Sequence, residues 1–329
     1  LADPHSIIGN EVWAMYNDNK GALWVGVFSA GVSKLENEKT SFQLIQYEKG
    51  NPYALNEKSV LAIEEGPQGN LWLGLDHGGL NVYNRQDKKF TYYTHDPQNR
   101  NSLSSNSVLS IEIARDGTVW LGTWGGGLNH FYPQTGKFKA YKPSKKKPSS
   151  ISGMHIWSIL EDRNGKIWAG THRQGVSVWD PHTGAFKTYM PVPGDTSSLS
   201  NSLVWDIIED KQGRVWAAAA TGLNLYLPEQ DAFRHFFTGT GNGLSLQFFD
   251  IKQDKTGNLW LGSSQFGLVK FDPETHDWET FTEDEGLPSN IVNSITIDPK
   301  QRLWLGTSKG MSLFDPKDQS FRNFDATDG

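Results

Sequence analysis

An all-β fold, a seven-bladed β-propeller with four antiparallel strands per blade, is predicted by three observations. Seven tryptophans, Trp24, Trp72, Trp120, Trp168, Trp216, Trp260 and Trp304, recur at spacings of 48, 48, 48, 48, 44 and 44 residues. Each sits in a version of Gly-x-Leu-Trp-Leu-Gly-Thr-x-x-Gly-Gly-Leu, as in Gly69-Asn70-Leu71-Trp72-Leu73-Gly74 and Gly257-Asn258-Leu259-Trp260-Leu261-Gly262. The first and last copies carry the same apolar columns as the middle ones. A repeat of this length cannot bury its apolar face alone, so it stacks on its neighbours; without polar end caps, the stack is expected to close on itself. The expectation is one domain over residues 1–329, with blades at about 10–47, 58–94, 106–142, 154–190, 202–238, 246–282 and 290–326.

The fourth copy shows how each strand is justified. His155-Ile156-Trp157-Ser158-Ile159-Leu160 and Lys166-Ile167-Trp168-Ala169-Gly170-Thr171 are β-branched and aromatic runs separated by Asp162-Arg163-Asn164-Gly165, the pattern of a hairpin (strands a and b). Gly175-Val176-Ser177-Val178-Trp179 alternates as strand c, Asp180-Pro181-His182-Thr183-Gly184 turns, and Ala185-Phe186-Lys187-Thr188-Tyr189 alternates as strand d. In every copy strand d carries an anchor, Phe42, Phe90, Phe138, Phe186, Phe233, Trp278 or Phe321, expected to fill the gap between sheets. A glycine column, Gly31, Gly79, Gly127, Gly175, Gly222, Gly267 and Gly310, opens strand c, where a tight b–c connection or a positive φ is expected. The phase makes each blade one contiguous repeat, so blades one and seven are expected to meet at a seam held by side-chain packing.

Composition excludes several function classes. The net charge of -6 provides no electrostatic footprint for nucleic acid. Cysteine is absent, which removes disulfides and thiol chemistry. No apolar run reaches membrane-spanning length, so direct membrane insertion of these residues is not expected. The chain opens at Leu1 with no signal-peptide pattern, the start expected of a mature form or an excised domain. No His-Glu-x-x-His, Gly-x-Ser-x-Gly or His/Cys cluster occurs, so neither a metal nor a cofactor is expected.

The succession of Asp-x-x-Gly, Leu-Trp-Leu-Gly-Thr-x-x-Gly-Gly-Leu and Phe-Asp-Pro resembles the two-component regulator propeller repeat. So do the leads into strand a, Asn101-Ser102-Leu103-Ser104-Ser105-Asn106-Ser107-Val108 and Ser198-Leu199-Ser200-Asn201-Ser202-Leu203-Val204. The resemblance covers essentially the whole chain and departs from pattern at Ala217-Ala218-Ala219-Ala220 and at Gly66-Pro67. It implies a periplasmic or extracellular sensor part of a bacterial membrane-bound regulator that detects glycans, with further domains elsewhere in the sensor.

A site is expected on the b–c/d–a side, because a–b and c–d turns are uniform whereas d–a connections vary in length. Just past strand b the copies differ most: Phe28, Asp76, Trp124, His172, Ala220, Ser264 and Ser308, then Ser29, His77, Gly125, Arg173, Thr221, Gln265 and Lys309. Trp124, Phe28 and Phe266 suit stacking on sugar faces; Asp76, His77, His172, Arg173, Gln265 and Lys309 suit hydroxyls or a carboxylate. Trp13, Trp157 and Trp205 share a strand a column with Leu61, Leu109, Phe249 and Asn293 and are expected in the core. Asp206 and Asp250 are expected to hydrogen-bond the next blade. Two alternatives to an oligosaccharide sensor stand beside it: a lyase or glycoside-processing enzyme using His77 and His172 as acid and base with Arg173 on a uronic acid, and a ring docking a protein partner or a second copy.

Overall fold

The computed structural model describes residues 6–36, 42–238 and 246–326. They form seven four-stranded antiparallel sheets, each ordered a-b-c-d from one contiguous repeat. The fold is a seven-bladed β-propeller. Blade four runs Ile156–Glu161, Ile167–Thr171, Val176–Asp180 and Ala185–Tyr189, within a residue of the predicted ends.

One carboxylate organises the a–b turn. Asp162 is buried; its Oδ1 accepts the Asn164 and Lys166 N–H groups at 2.9 and 3.0 Å, and its Oδ2 accepts the indole N–H of Trp168 at 2.9 Å. Gly165, at φ 76°, closes the turn by donating to the Asp162 carbonyl. The same carboxylate–indole bond joins Asp18 to Trp24, Asp210 to Trp216 and Asp254 to Trp260. The repeated aspartate and tryptophan are therefore one hydrogen-bonded unit, satisfying a buried donor that would otherwise cost about 1–3 kcal/mol. Blade three has Ala114 at this position, and there Trp120 stacks on His130 with ring centroids 3.9 Å apart and planes 9° from parallel.

Each strand c glycine has positive φ, from 65° at Gly267 to 128° at Gly31. A Cβ on Gly175 would also overlap the carbonyl oxygen of Tyr189 on strand d. Gly175→Ala is accordingly expected to lower stability by about 3 kcal/mol, combining left-handed strain with backbone displacement. A urea midpoint equal to wild type would contradict this.

The chain divides into two compact units, Leu1–Tyr93 with Lys252–Gly329, and Thr94–Ile251. Within each, apolar clusters span neighbouring sheets. In the first unit, Trp24 and Val32 of blade one pack with Val60, Ile63 and Leu73 of blade two, and Trp260 and Leu268 of blade six with Val292, Ile295 and Leu305 of blade seven. Val12, Met15, Val25 and Val27 of blade one pack with Trp304, Met311 and Leu313 of blade seven. Blade seven completes its sheet with its own four strands, and residues 6–9 lie in no strand; residues 1–5 fall outside the described set. Loop and side-chain bonds join the two blades: Gly310 N–H to the Asn10 carbonyl at 2.8 Å and Asn17 Nδ2 to Thr296 Oγ1 at 3.3 Å. In the second unit, Trp120 and Leu128 pack with Ile156, Ile159 and Ile167, and Trp168 and Val176 with Val204, Ile207 and Ala217. Each such fully buried aliphatic or aromatic side chain contributes about 2 kcal/mol.

One predicted anchor departs from its column. Phe42, Phe90, Phe138, Phe186 and Phe233 are buried, but Trp278 is 50% exposed. In blades two to five a carbonyl of the preceding d–a connection accepts the anchor's N–H: Pro52 for Phe90, Asn101 for Phe138, Ser149 for Phe186 and Ser197 for Phe233. The repeat leading into blade six is four residues shorter, 44 against 48, and Phe281 takes the buried place in its strand d.

Candidate ligand-binding site

Two local features bring side chains together at the b–c end of the sheets. The first is a hydrogen bond from the residue just past strand b to the residue just before strand a. It links Phe28 N to Glu11 O, Asp76 N to Ser59 O, Trp124 N to Ser107 O and His172 N to His155 O at 2.9–3.0 Å. The second is a bulge in strand a. Ile156 pairs with Thr171 and Ser158 with Gly170, leaving Trp157 as the extra residue; Trp13, Leu61, Leu109, Trp205 and Asn293 stand at the same irregularity. A bulge re-aims the extra side chain away from the alternation of the strand.

In the Thr94–Ile251 unit these features assemble an aromatic cluster. Trp124, 42% exposed, has its ring 3.9 Å from His155, 5.3 Å from His172 and 5.8 Å from Trp157 between centroids. Trp157 continues to Trp205 at 4.8 Å, and Trp205 to Phe249 at 5.1 Å. The backbone N–H of Gly125 donates to His155 Nδ1 at 2.9 Å, and the Trp157 indole N–H donates to His172 Nδ1 at 3.2 Å. With both Nδ1 atoms accepting, each neutral imidazole carries its proton on Nε2 and presents it as a donor. Burial holds the His172 pKa below the ordinary histidine value, helped by the positive charge of Arg173. The Trp205 indole N–H is buried and makes no hydrogen bond. Arg173 is exposed beside His172, with φ 66°.

The predicted residues of the other unit form smaller groups. Phe28 packs its ring on Trp13 at 6.0 Å, and both are exposed. Asp76 Oδ2 is 3.2 Å from His77 Nδ1. Gln265 is exposed, whereas Phe266 is half-buried and donates its N–H to Ser263 Oγ at 2.7 Å. Lys309 pairs with Glu283 at 3.1 Å, so its charge is already matched. Asp206 accepts the N–H groups of Ile207 and, on the next strand a, Ile251, at 2.9 and 3.0 Å. No group of three metal-ligating side chains occurs among the described residues.

Trp124 and His172 meet across neighbouring tips, together with four residues that the sequence did not mark as site candidates. His155 was not singled out, and Trp157 and Trp205 were expected in the core because they share a strand a column with Leu61, Leu109 and Phe249. The bulge takes Trp157 and Trp205 out of the alternation of their strands. Its only trace in the sequence is the small residue that follows each time, Ala14, Ala62, Ser110, Ser158, Asp206 or Ser294, set opposite a glycine or alanine of strand b.

Five segments, 6–29, 102–125, 150–173, 198–220 and 286–309, match the family model described as two component regulator propeller. These are two-component regulator propeller repeats. The first matched segment runs from residue 6, and the other four from a d–a connection, through strands a and b to the b–c tip, so Phe28, Trp124, His155, Trp157, His172 and Trp205 all lie in matched repeats. A stretch of 73 residues is 36% identical to histidine kinase P4 of Formosa agariphila, spanning 21% of this chain and 5% of the kinase. The extracellular domain of a putative hybrid two component system from B. thetaiotaomicron superposes with a TM-score of 0.80 at 23% identity, over 93% of this chain and 40% of that one. The chain thus spans less than half of that extracellular domain. Virginiamycin B lyase from Staphylococcus aureus superposes with a TM-score of 0.70 at 12% identity, over 94% and 96% of the two chains, a likeness of fold. No helix among the described residues is long and apolar enough to cross a membrane.

Proposed function

We propose that this regulator propeller is the extracytoplasmic ligand-binding part of a two-component-type sensor, and that its ligand is a glycan. The observation that carries this reading is the cluster around Trp124: an exposed indole face flanked by two imidazoles with their Nδ1 atoms already bonded. The C–H face of a sugar stacks on Trp124, and its hydroxyls accept from Nε2–H of His155 and His172. Arg173 beside them suits an acidic sugar. Phe28, Asp76, His77, Gln265, Phe266 and Lys309 occupy equivalent or adjacent repeat positions in the other unit and are proposed as glycan contacts of that unit by itself. Similarity of the repeats to a sensor kinase and to the extracellular domain of a hybrid system supports the signalling half of the reading.

An oligosaccharide panel followed by melting temperature and product formation together tests it. A ligand-induced rise without turnover is the expected result; turnover would move the assignment to an enzyme, and silence in both to protein docking. Trp124→Ala is expected to weaken glycan binding at least tenfold, about 1.4 kcal/mol or more, while leaving the fold intact because the ring is already exposed. Full binding by that variant would place the site elsewhere.

A further inference from the structure

The a–b turns, at the other end of the strands, carry a second recurring arrangement. In the Thr94–Ile251 unit, an arginine of one turn reaches into the next sheet. Arg163 donates its backbone N–H to Glu209 Oε2 at 2.9 Å and its Nε–H to Glu209 Oε1 at 2.7 Å, and its Nη atoms lie 3.4 Å from the Gln212 and Asp210 carbonyls. Its guanidinium covers the place where a Cβ on Gly213 would stand. Arg115 repeats this, with its N–H on Glu161 Oε2 at 2.8 Å and its guanidinium on the Asp162 and Arg163 carbonyls. The result is a socket: a carboxylate from the end of strand a, turn carbonyls for walls and, under Arg163, a glycine for floor.

Blades one and two repeat this socket with a different occupant residue. Asn19 donates its N–H to Glu65 Oε2 at 2.9 Å, as Arg115 and Arg163 do to their glutamates, and Gly69 holds the floor position. The Asn19 side chain is too short to reach further. A cavity of ≈ 600 Å³ lies here, lined by Asn19, Glu65, Gly66, Gln68, Gly69 and Arg85 among others. The Glu65 side chain is only 7% exposed, and its Oε1 is buried without a hydrogen bond. Arg85 enters from the far side, but its Nη1 bonds Asp18 at 2.8 Å and its Nη2 stays 3.8 Å from Glu65 Oε1. Asp18 takes the close bond of that guanidinium, so Glu65 Oε1 keeps an ion pair at 3.8 Å but no hydrogen bond, Arg85 Nε and Nη2 make none either, and Lys20 lines the same cavity. Buried carboxylate oxygens normally recover their desolvation cost through a charged donor.

We propose that this socket binds a guanidinium supplied from outside the chain, the arginine side chain of a partner polypeptide. Both internal occupants are arginines carried on a polypeptide, and the planar fork suits one carboxylate oxygen beside turn carbonyls in a way an ammonium does not. This site is independent of the Trp124 cluster.

The test is a titration of the protein with acetyl-arginine amide, with acetyl-citrulline amide as the uncharged isostere and acetyl-lysine amide as the ammonium control, followed by NMR or calorimetry. Saturable binding of the arginine compound, at least tenfold tighter than either control, is expected. Glu65→Gln should weaken it tenfold or more. Asn19→Arg should abolish it with melting temperature unchanged or raised, since residue 19 then fills the socket as Arg115 and Arg163 fill theirs. Absence of saturable binding, equal binding of citrulline amide, or binding retained in Asn19→Arg would overturn the site. An arginine-bearing peptide that binds no tighter than methylguanidinium would overturn the polypeptide as the source.

Discussion

Asp162→Ala is expected to destabilise the protein by about 3 kcal/mol, among the largest effects of any single side chain outside the apolar clusters. The change removes the acceptor for three donors at once: the Asn164 and Lys166 N–H groups and the Trp168 indole. The indole matters most, because Trp168 is 3% exposed and its N–H has no water to turn to. Asp162→Asn keeps an acceptor for the turn but sets an amide against the indole, so an intermediate loss is expected. Blade three does without the carboxylate at Ala114 only because its turn is rebuilt: Asp116 Oδ1 accepts the Thr118 N–H at 2.8 Å, and Trp120 stacks on His130. Urea unfolding of Asp162→Ala checks this, and a midpoint matching wild type would mean that Gly165 alone sets the turn.

Glu112→Gln is expected to expose a steep pH dependence that the native protein conceals. Burial, reinforced by the charge of Glu161, raises Glu112 from an ordinary 4.5 to about 7. A raised carboxyl pKa means that the folded state holds the proton more tightly, so its stabilising contribution is complete below pH 4.5 and is lost as pH climbs through about 7. His130 runs the other way. It is buried between Thr118 Oγ1 at 2.7 Å and the Tyr132 hydroxyl at 3.0 Å, and burial lowers its pKa from 6.5 to about 4. Its contribution is complete above pH 6.5 and is lost as pH falls through about 4. Each is worth on the order of 3 kcal/mol across its window, and over pH 4.5 to 6.5 the two slopes oppose each other. Native stability should therefore be nearly level in that interval, whereas Glu112→Gln should become markedly more stable as pH rises. Unfolding free energies at half-unit pH steps decide it: parallel profiles for the two proteins would refute the Glu112 assignment.

The repeat made the architecture readable at the level of single residues. Trp168, Gly165, Gly175 and Phe186 recur in phase because each meets a constraint that every sheet faces: an indole to satisfy, a turn to close, a positive φ to adopt and a gap to fill. Trp278 shows where such reasoning weakens. Its column says anchor, but whether an anchor is covered depends on the length of a connection outside the strand. At the candidate site, variability after strand b pointed to Trp124 and His172, which do meet, while Trp157 and Trp205 were read as core from the apolar residues of their column, where the strand a bulge re-aims them, and nothing marked His155. The Glu65 socket was likewise invisible until Arg115 and Arg163 showed what its sister positions hold.

The amino-acid sequence alone determined the number of sheets, their four strands, the columns that pack between them and the end of the strands where variety collects, because these follow from local periodicity repeated seven times. Only the tertiary structure decided which side chains converge there and which donors they leave exposed. Convergence depends on the residues inserted in strand a at Trp157 and Trp205 and on hydrogen bonds from Gly125 and Trp157 that pin the imidazoles, and these register shifts and through-space bonds cannot be read from the period of the chain.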